Sequence, residues 1–403
     1  MRGRLRQVWL VPLVLWGFIT PPFSFLTAPL SIAASRAIGQ PNLTYSGSND
    51  GGLSARSLSY PSGIALDQQG NLYAADNGNN RVLEYDAPLT TGMAASRVIG
   101  QPDFDHGSPN DGGLSANSLA EPEGVALDRH GNLYVADFGN NRVLEYDAPQ
   151  TTGMAASRVF GQPDFITNGY HDVVNAASLH DPIGVALDQQ GNLYVADSSN
   201  ARVLEYFTPL TAHMAASRVF GQPDLNSSLA DNGGLGAKSL GRPVSVALDT
   251  QGNLYVADTA DNRVLEYEAP LATDMAASRV LGQPDFTHKT PNNRGVSATS
   301  LWAPSGLGLD ARGNLSVADY LNNRVLAYDA PLITGMAASG VVGQPDFNSN
   351  AFNNGGSSAS SLASPAAVAL DALGRLYVAD TSNSRVLAYG LGLIKLYLPL
   401  VQR

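Results

Sequence analysis

Twelve aspartates recur in two fixed slots along this chain, and they are the first candidates for chemistry. One slot holds Asp67, Asp128, Asp188, Asp249, Asp310 and Asp371, each three residues before a glycine. The other holds Asp76, Asp137, Asp197, Asp258, Asp319 and Asp380, each five residues before an arginine, Arg81, Arg142, Arg202, Arg263, Arg324 and Arg385. So many carboxylates suggest calcium, yet a calcium site draws several oxygens onto one ion, and each slot supplies one. The spacing fits local chemistry better. Asp-x-x-Gly opens a tight hairpin with glycine where φ is positive. Asp and Arg five apart, with Asn and Gly between, suit a loop held by hydrogen bonds and an ion pair. Both slots therefore read as structural.

The remaining inventory is thin. The six histidines, His106, His130, His171, His180, His213 and His288, occupy unrelated places, and there is no cysteine. No Gly-x-Ser-x-Gly elbow or phosphate-binding glycine loop occurs. No cofactor is implied, and binding is favoured over catalysis.

The elements that position these residues come in copies. The hairpin glycine Gly70 returns at Gly131, Gly191, Gly252, Gly313 and Gly374, 60 or 61 residues apart each time. Such a period marks units that hide their apolar faces against one another. Within the first unit, Gly63–Leu66, Leu72–Ala75, Arg81–Tyr85 and Ser96–Gln101 read as strands. Their apolar runs lack polar alternation, as expected for a sheet covered on both faces. Radial repetition of short antiparallel sheets protects their edges. The fold class is thus all-β: a six-bladed β-propeller of four-stranded antiparallel blades. Ala34-Ser-Arg-Ala-Ile-Gly-Gln40 copies the fourth-strand motif Ala95-Ser-Arg-Val-Ile-Gly-Gln101, and the last repeat lacks that motif after Tyr389. Residues 35–40 should therefore pair with Arg385–Tyr389 and close the ring. The tail from Leu391 is the rival for that edge.

Between Gln101 and the next blade-opening proline, Pro122, lie 20 residues, and the other copies have 19 or 20. Loops of this length are often functional. Their constant length speaks equally for architecture, with room for one helical turn at Ser-Ala-x-Ser-Leu.

At the N-terminus, Arg2, Arg4 and Arg6 precede an apolar run from Val8 to Ile19, with Ser31, Ala33 and Ala34 beyond. This order predicts a signal peptide over 1–33 and a secreted, cell-surface or periplasmic protein. An uncleaved anchor is the alternative. Removing 1–33 takes away three arginines and no acid, leaving 21 basic against 35 acidic residues and a net charge of −14. Such a surface repels nucleic acid and anionic lipid. The propeller then occupies 34–390. The apolar tail 391–403 is too short to span a membrane and reads as a packing segment, a lipid contact or an export tag, packing being favoured.

The string Pro-x-Gly-Ile/Val-Ala-Leu-Asp-x-x-Gly-Asn-Leu-Tyr-Val-Ala-Asp-x-x-Asn-x-Arg-Val resembles the NHL repeat, six times between about Ser35 and Tyr389. The resemblance implies a six-bladed propeller around a central channel. For function it implies either a binding or scaffold module for a protein, peptide or glycan, or a metal-dependent propeller enzyme of the lyase or lactonase type. The long inter-blade segment departs from the family repeat, so loop-based function does not carry over. The slot after each opening proline, Ser62, Glu123, Ile183, Val244, Ser305 and Ala366, should lie at the channel mouth. With one carboxylate among six, no metal ligand set is predicted. The Asp76–Arg81 type loops and the long segments should emerge on one face. That face makes Asn79, Asn140, Asn200, Asp261, Asn322 and Asn383 the candidate ligand contacts, with the most variable copies at 166–175 and 287–294.

Overall fold

Each repeat becomes one blade. In the first, strands Pro61–Leu66, Leu72–Asp76, Arg81–Tyr85 and Arg97–Ile99 lie side by side in that order, all antiparallel. The computed structural model describes residues 32–148, 151–170 and 173–390. The signal peptide expected over 1–33, apart from Ile32 and Ala33, lies outside the described residues, as do His171 and the tail 391–403. Six such sheets form a ring, and their first strands neighbour one another around its centre. The fold is a six-bladed β-propeller.

Local chemistry explains each strand's ends. Asp67 Oδ1 accepts the backbone N–H groups of Gln69 and Asn71 at 2.9 and 2.8 Å, and Gly70 takes φ +87°. Positive φ carries no penalty for glycine. The second strand ends in a single 3₁₀ turn, Asn77–Asn79, closed by left-handed Asn80 at φ 54°. Asparagine tolerates that conformation better than most residues. Close approach at the centre sets another requirement: a Cβ on Gly124 would lie 2.2 Å from the Ile183 carbonyl oxygen.

The core sits between blades. Tyr73, Ala75, Val82 and Ile99 of the first blade pack on Val125, Leu133, Val135, Leu144 and Tyr146 of the second, and the other interfaces repeat the pattern. One polar row crosses this core. Tyr73, Glu84 and Arg97 are cross-strand neighbours, with Arg97 bonded to the buried Glu84. The row recurs in blades two to four, for example with Tyr194 donating to Glu205 at 2.8 Å and Arg218 to Glu205 at 2.6 Å. Blade five replaces all three members by Ser316, Ala327 and Gly340.

Ala34–Ile38 completes the last blade, with Arg36, Ala37 and Ile38 opposite Ala388, Leu387 and Val386. The N-terminal strand therefore holds the edge for which the tail was the rival. The Ser-Ala-x-Ser-Leu stretches form simple turns instead of helical ones: the Ser57 N–H reaches back to the Ser54 carbonyl at 3.4 Å. The serine hydroxyl competes for the same backbone, Ser57 Oγ accepting the Ser54 N–H at 3.0 Å.

Ring closure generates a test. Ala37 is fully buried between blades five and six, so Ala37→Asp should cost about 3 kcal/mol or more by leaving a buried charge unpaired. Ser35→Ala, at an exposed position of the same strand, should stay within about 0.5 kcal/mol of the parent. Urea unfolding of both variants measures this.

Candidate functional site

On the face bearing the 3₁₀ turns, every blade buries an arginine. In blade three, Asp197 and Arg202 are both inaccessible to solvent, with Arg202 Nε donating to Asp197 Oδ2 at 2.7 Å. Asp197 Oδ2 also accepts the Asn200 amide at 2.9 Å, and Oδ1 accepts the His180 backbone N–H at 2.7 Å. The other guanidinium nitrogens donate to carbonyls of two inter-blade segments: Leu225 at 2.5 Å, Asn175 at 3.0 Å and Ser178 at 2.9 Å. The arginine contacts recur in all six copies, and the asparagine amide recurs in five, with Asp261 in its place in blade four. The aspartate and arginine slots are thus structural hubs, and they order the long segments before and after each blade.

This geometry corrects one expectation. Asn79, Asn140, Asn200, Asp261, Asn322 and Asn383 do not present their side chains on the loop face, because each is 5% exposed or less. The five asparagines donate to the hub aspartates, as Asn79 does to Asp76 at 2.7 Å.

Two further residue sets, which the sequence reading passed over, stitch neighbouring blades. The left-handed residue after each 3₁₀ turn is asparagine in four blades. Asn80 Oδ1 accepts the Glu121 N–H of the next blade at 2.9 Å, and its amide donates to the Gly107 carbonyl at 2.8 Å. The glutamine of each Gln-Pro-Asp motif donates to the same region: Gln101 Nε2 reaches the carbonyls of Asn80 and Ser108 at 2.8 and 2.9 Å. Their constant offsets within the period were the available signal. Blade three has Ala201 instead. Without an amide there, the Arg242 N–H turns to Asp258 Oδ1 at 3.1 Å. Arg242 also lacks the positive φ shared by its counterparts Tyr60, Glu121, Asp181, Ala303 and Ser364.

At the centre lies a cavity of about 570 Å³. All six slots after the opening prolines line it: Ser62, Glu123, Ile183, Val244, Ser305 and Ala366. Tyr60 and Arg242, from the slot before the proline, and Asn77, Thr259, Tyr320 and Thr381, from the 3₁₀ turns, line it as well. Most of its hydroxyls are already engaged. Ser62 Oγ donates to the Pro122 carbonyl at 3.0 Å, Ser305 Oγ to Pro365 at 3.1 Å and Thr381 Oγ1 to Pro61 at 2.7 Å. Two charged groups remain. Glu123 Oε1 accepts the Asn77 amide at 3.1 Å, and the Arg242 side chain makes no hydrogen bond or ion pair with any described residue. Burial pushes the Glu123 carboxyl up to about 7, against the pull of Ser62 and Arg242. The side chains lining the channel do not fit a metal ion, because a single carboxylate stands there with a guanidinium. Among the described residues no group of three His, Asp or Glu could hold one elsewhere.

The chain is a six-bladed β-propeller. It carries NHL repeats: the family model of that name matches residues 58–85, 119–146, 179–206, 240–267 and 362–389. These are blades one to four and six. The matched stretches omit blade five, where Ser316 stands in the tyrosine slot of the other five blades. Over 293 residues the chain is 25% identical to the protein SUPPRESSOR OF QUENCHING 1, chloroplastic, of Arabidopsis thaliana. Over 231 residues it is 26% identical to teneurin-1 of Mus musculus. The alignments take in 70% and 53% of this chain but 26% and 8% of those proteins, so the chain spans a small part of these relatives. The solved structure of virginiamycin B lyase from Staphylococcus aureus is similar with a TM-score of 0.46 at 11% identity, over 84% of this chain and 98% of that one. At that level the likeness says nothing of activity.

Two outcomes are expected. Asp197→Ala leaves a buried guanidinium and a backbone donor without their acceptor and should cost about 3–5 kcal/mol, read from chemical unfolding. Glu123 takes its proton more tightly folded than unfolded, so the stability it contributes is full below pH 4.5 and is lost as pH rises through about 7. Melting temperatures across that window should fall less steeply for Glu123→Gln than for the parent.

Proposed function

We propose that this chain is an exported binding propeller that takes a peptide or protein segment at the loop-face mouth of its channel. The observation that carries the reading is the pair of opposite charges in the central cavity, neither held by an ion pair. A basic group of the ligand would meet Glu123 and an acidic group Arg242, while Tyr60 and Tyr320 supply aromatic walls. A rigid ring presenting a varied rim is where recognition usually sits. In the segment before blade three Ile166, Tyr170 and Val173 are exposed, and Tyr170 stacks on His180 at 5.2 Å. Export rests on the order of arginines, apolar run and small residues over 1–33. The metal-dependent lyase or lactonase reading requires a cation in the channel, and the channel's residues do not fit one.

Peptide and glycan arrays on the intact protein, followed by calorimetry, test the proposal. Glu123→Gln and Arg242→Gln should each weaken a peptide ligand about tenfold, the loss of about 1.4 kcal/mol, and Arg242→Gln should leave the melting temperature nearly unchanged. Affinity should rise as pH increases through about 7, when Glu123 becomes charged. Gln69→Ala and His130→Ala on the tight-hairpin face should bind as the parent does. Loss of binding from that face alone, or a glycan ligand indifferent to both charged residues, would overturn the reading.

A further inference from the structure

Four blades carry an amide pair above the buried arginine. Asn49 and Asn79 exchange hydrogen bonds at 2.8 Å in both directions, and Asn292 and Asn322 do so at 3.0 and 2.7 Å. The pairs Asn110–Asn140 and Asn353–Asn383 repeat this. A carboxamide both donates and accepts, so two of them satisfy each other without charge. Blade four alters both members to aspartate, with Asp231 in the inter-blade segment and Asp261 in the 3₁₀ turn. Two ionised carboxylates have no hydrogen to exchange. Asp261 is 1% exposed, and Oδ1 of each aspartate is buried without a hydrogen-bond donor.

The charges around the pair number three more. Lys289, from the next segment, donates to Asp231 Oδ2 at 2.7 Å and lies 3.4 Å from Asp261 Oδ1. Arg263 reaches Asp261 Oδ2 at 3.1 Å while its Nε serves Asp258 at 2.9 Å. Three acids thus face two bases, so the buried Asp261 is left short of a counter-charge unless a proton neutralises one carboxyl of the group, Lys289 being half exposed. Burial, then the Asp258 charge and a hydrogen bond that Asp231 accepts only when Asp261 carries the proton, push Asp261 up to about 8. Burial alone would raise Asp231, but Lys289 and Asp261 bring it below its ordinary value. Room for the arrangement comes from Gly241, where a Cβ would stand 2.8 Å from Asp261 Oδ1. The other blades have Ser59, Ala120, His180, Trp302 and Ala363 there.

We propose that Asp231 and Asp261 hold one proton between them, and that its loss unlatches the 231–240 segment from blade four. Without the proton two carboxylates oppose each other where other blades hold bonded amides. The same segment leads directly to Arg242 at the channel mouth, so the latch makes one sector of the loop face sensitive to pH. The proton is held more tightly in the folded chain, and its stabilising effect is therefore lost as pH rises toward and through about 8.

Hydrogen-exchange mass spectrometry of the full chain between pH 5 and 10 reads the latch as the protection factor of 231–240, corrected for intrinsic rates. In the parent, protection should drop about tenfold or more across pH 8. The D231N/D261N double variant, which restores the amide pair, should keep it. Carboxyl carbon NMR of the parent supplies a second measurement independent of that variant's folding, with one aspartate expected to titrate near 8. Parallel protection profiles for parent and variant, or two aspartates both titrating below 5, would overturn the proposal.

Discussion

Burying a guanidinium is the constraint on which the rest of this structure depends. The group carries five N–H donors and cannot shed its charge, so each one buried must be surrounded by acceptors. A single aspartate cannot supply enough of them. Arg81 therefore takes Asp76 through Nε and the carbonyls of Phe104, Ser54 and Ser57 through its outer nitrogens. Those carbonyls belong to the segments entering and leaving the blade. The demand for acceptors is thus what orders some twenty residues of chain that have almost no regular structure of their own, and it explains why their length hardly varies. Isolated pairs of this kind contribute little net stability because desolvation offsets attraction. Here their consequence is conformational: they specify where the connecting chain runs.

The six blades act as controls for one another. Where Ala201 replaces the inter-blade asparagine, the following Arg242 changes both its hydrogen bond and its backbone conformation. Blade five loses tyrosine, glutamate and arginine of its polar row together, as expected if a buried carboxylate is tolerated only with both partners. In blade four, two asparagines become aspartates alongside a lysine on the neighbouring segment and a glycine that makes room. Each departure is a set of residues in contact, and each set has a local electrostatic reason.

Variation between the blades is concentrated where these requirements relax. The first strands approach so closely around the channel that glycine or another small residue is needed at one position, leaving the two positions flanking each opening proline to vary. Variation there produces Glu123, Arg242 and Tyr60, and the first position of a 3₁₀ turn adds Tyr320, on a frame held rigid by the hubs beneath. A polar group at such a rim can vary without disturbing the inter-blade core.

The repeat period, the four strands, the hairpin glycine and closure by an N-terminal strand, expected over 35–40 and found at 34–38, were legible in the residues themselves. Each depends on interactions within one unit or on a motif present once too often at one end and missing at the other. The channel position of Ser62, Glu123 and their equivalents followed from the same register. Burial of Asn79 and its equivalents was not legible, since a polar residue in a Gly-rich loop reads as exposed until its partners are known. Asn49 lies thirty residues before Asn79, and Phe104 lies twenty-three after Arg81, beyond the reach of any local pattern. Pairing of Asp231 with Asp261 and Lys289, and the convergence of Glu123 and Arg242 from blades two and four, likewise depend on which chain segments the closed ring brings together. Local geometry could be read from spacing because it repeats. The partners of a buried charge are decided by neighbours distant in sequence, and only the assembled ring supplies them.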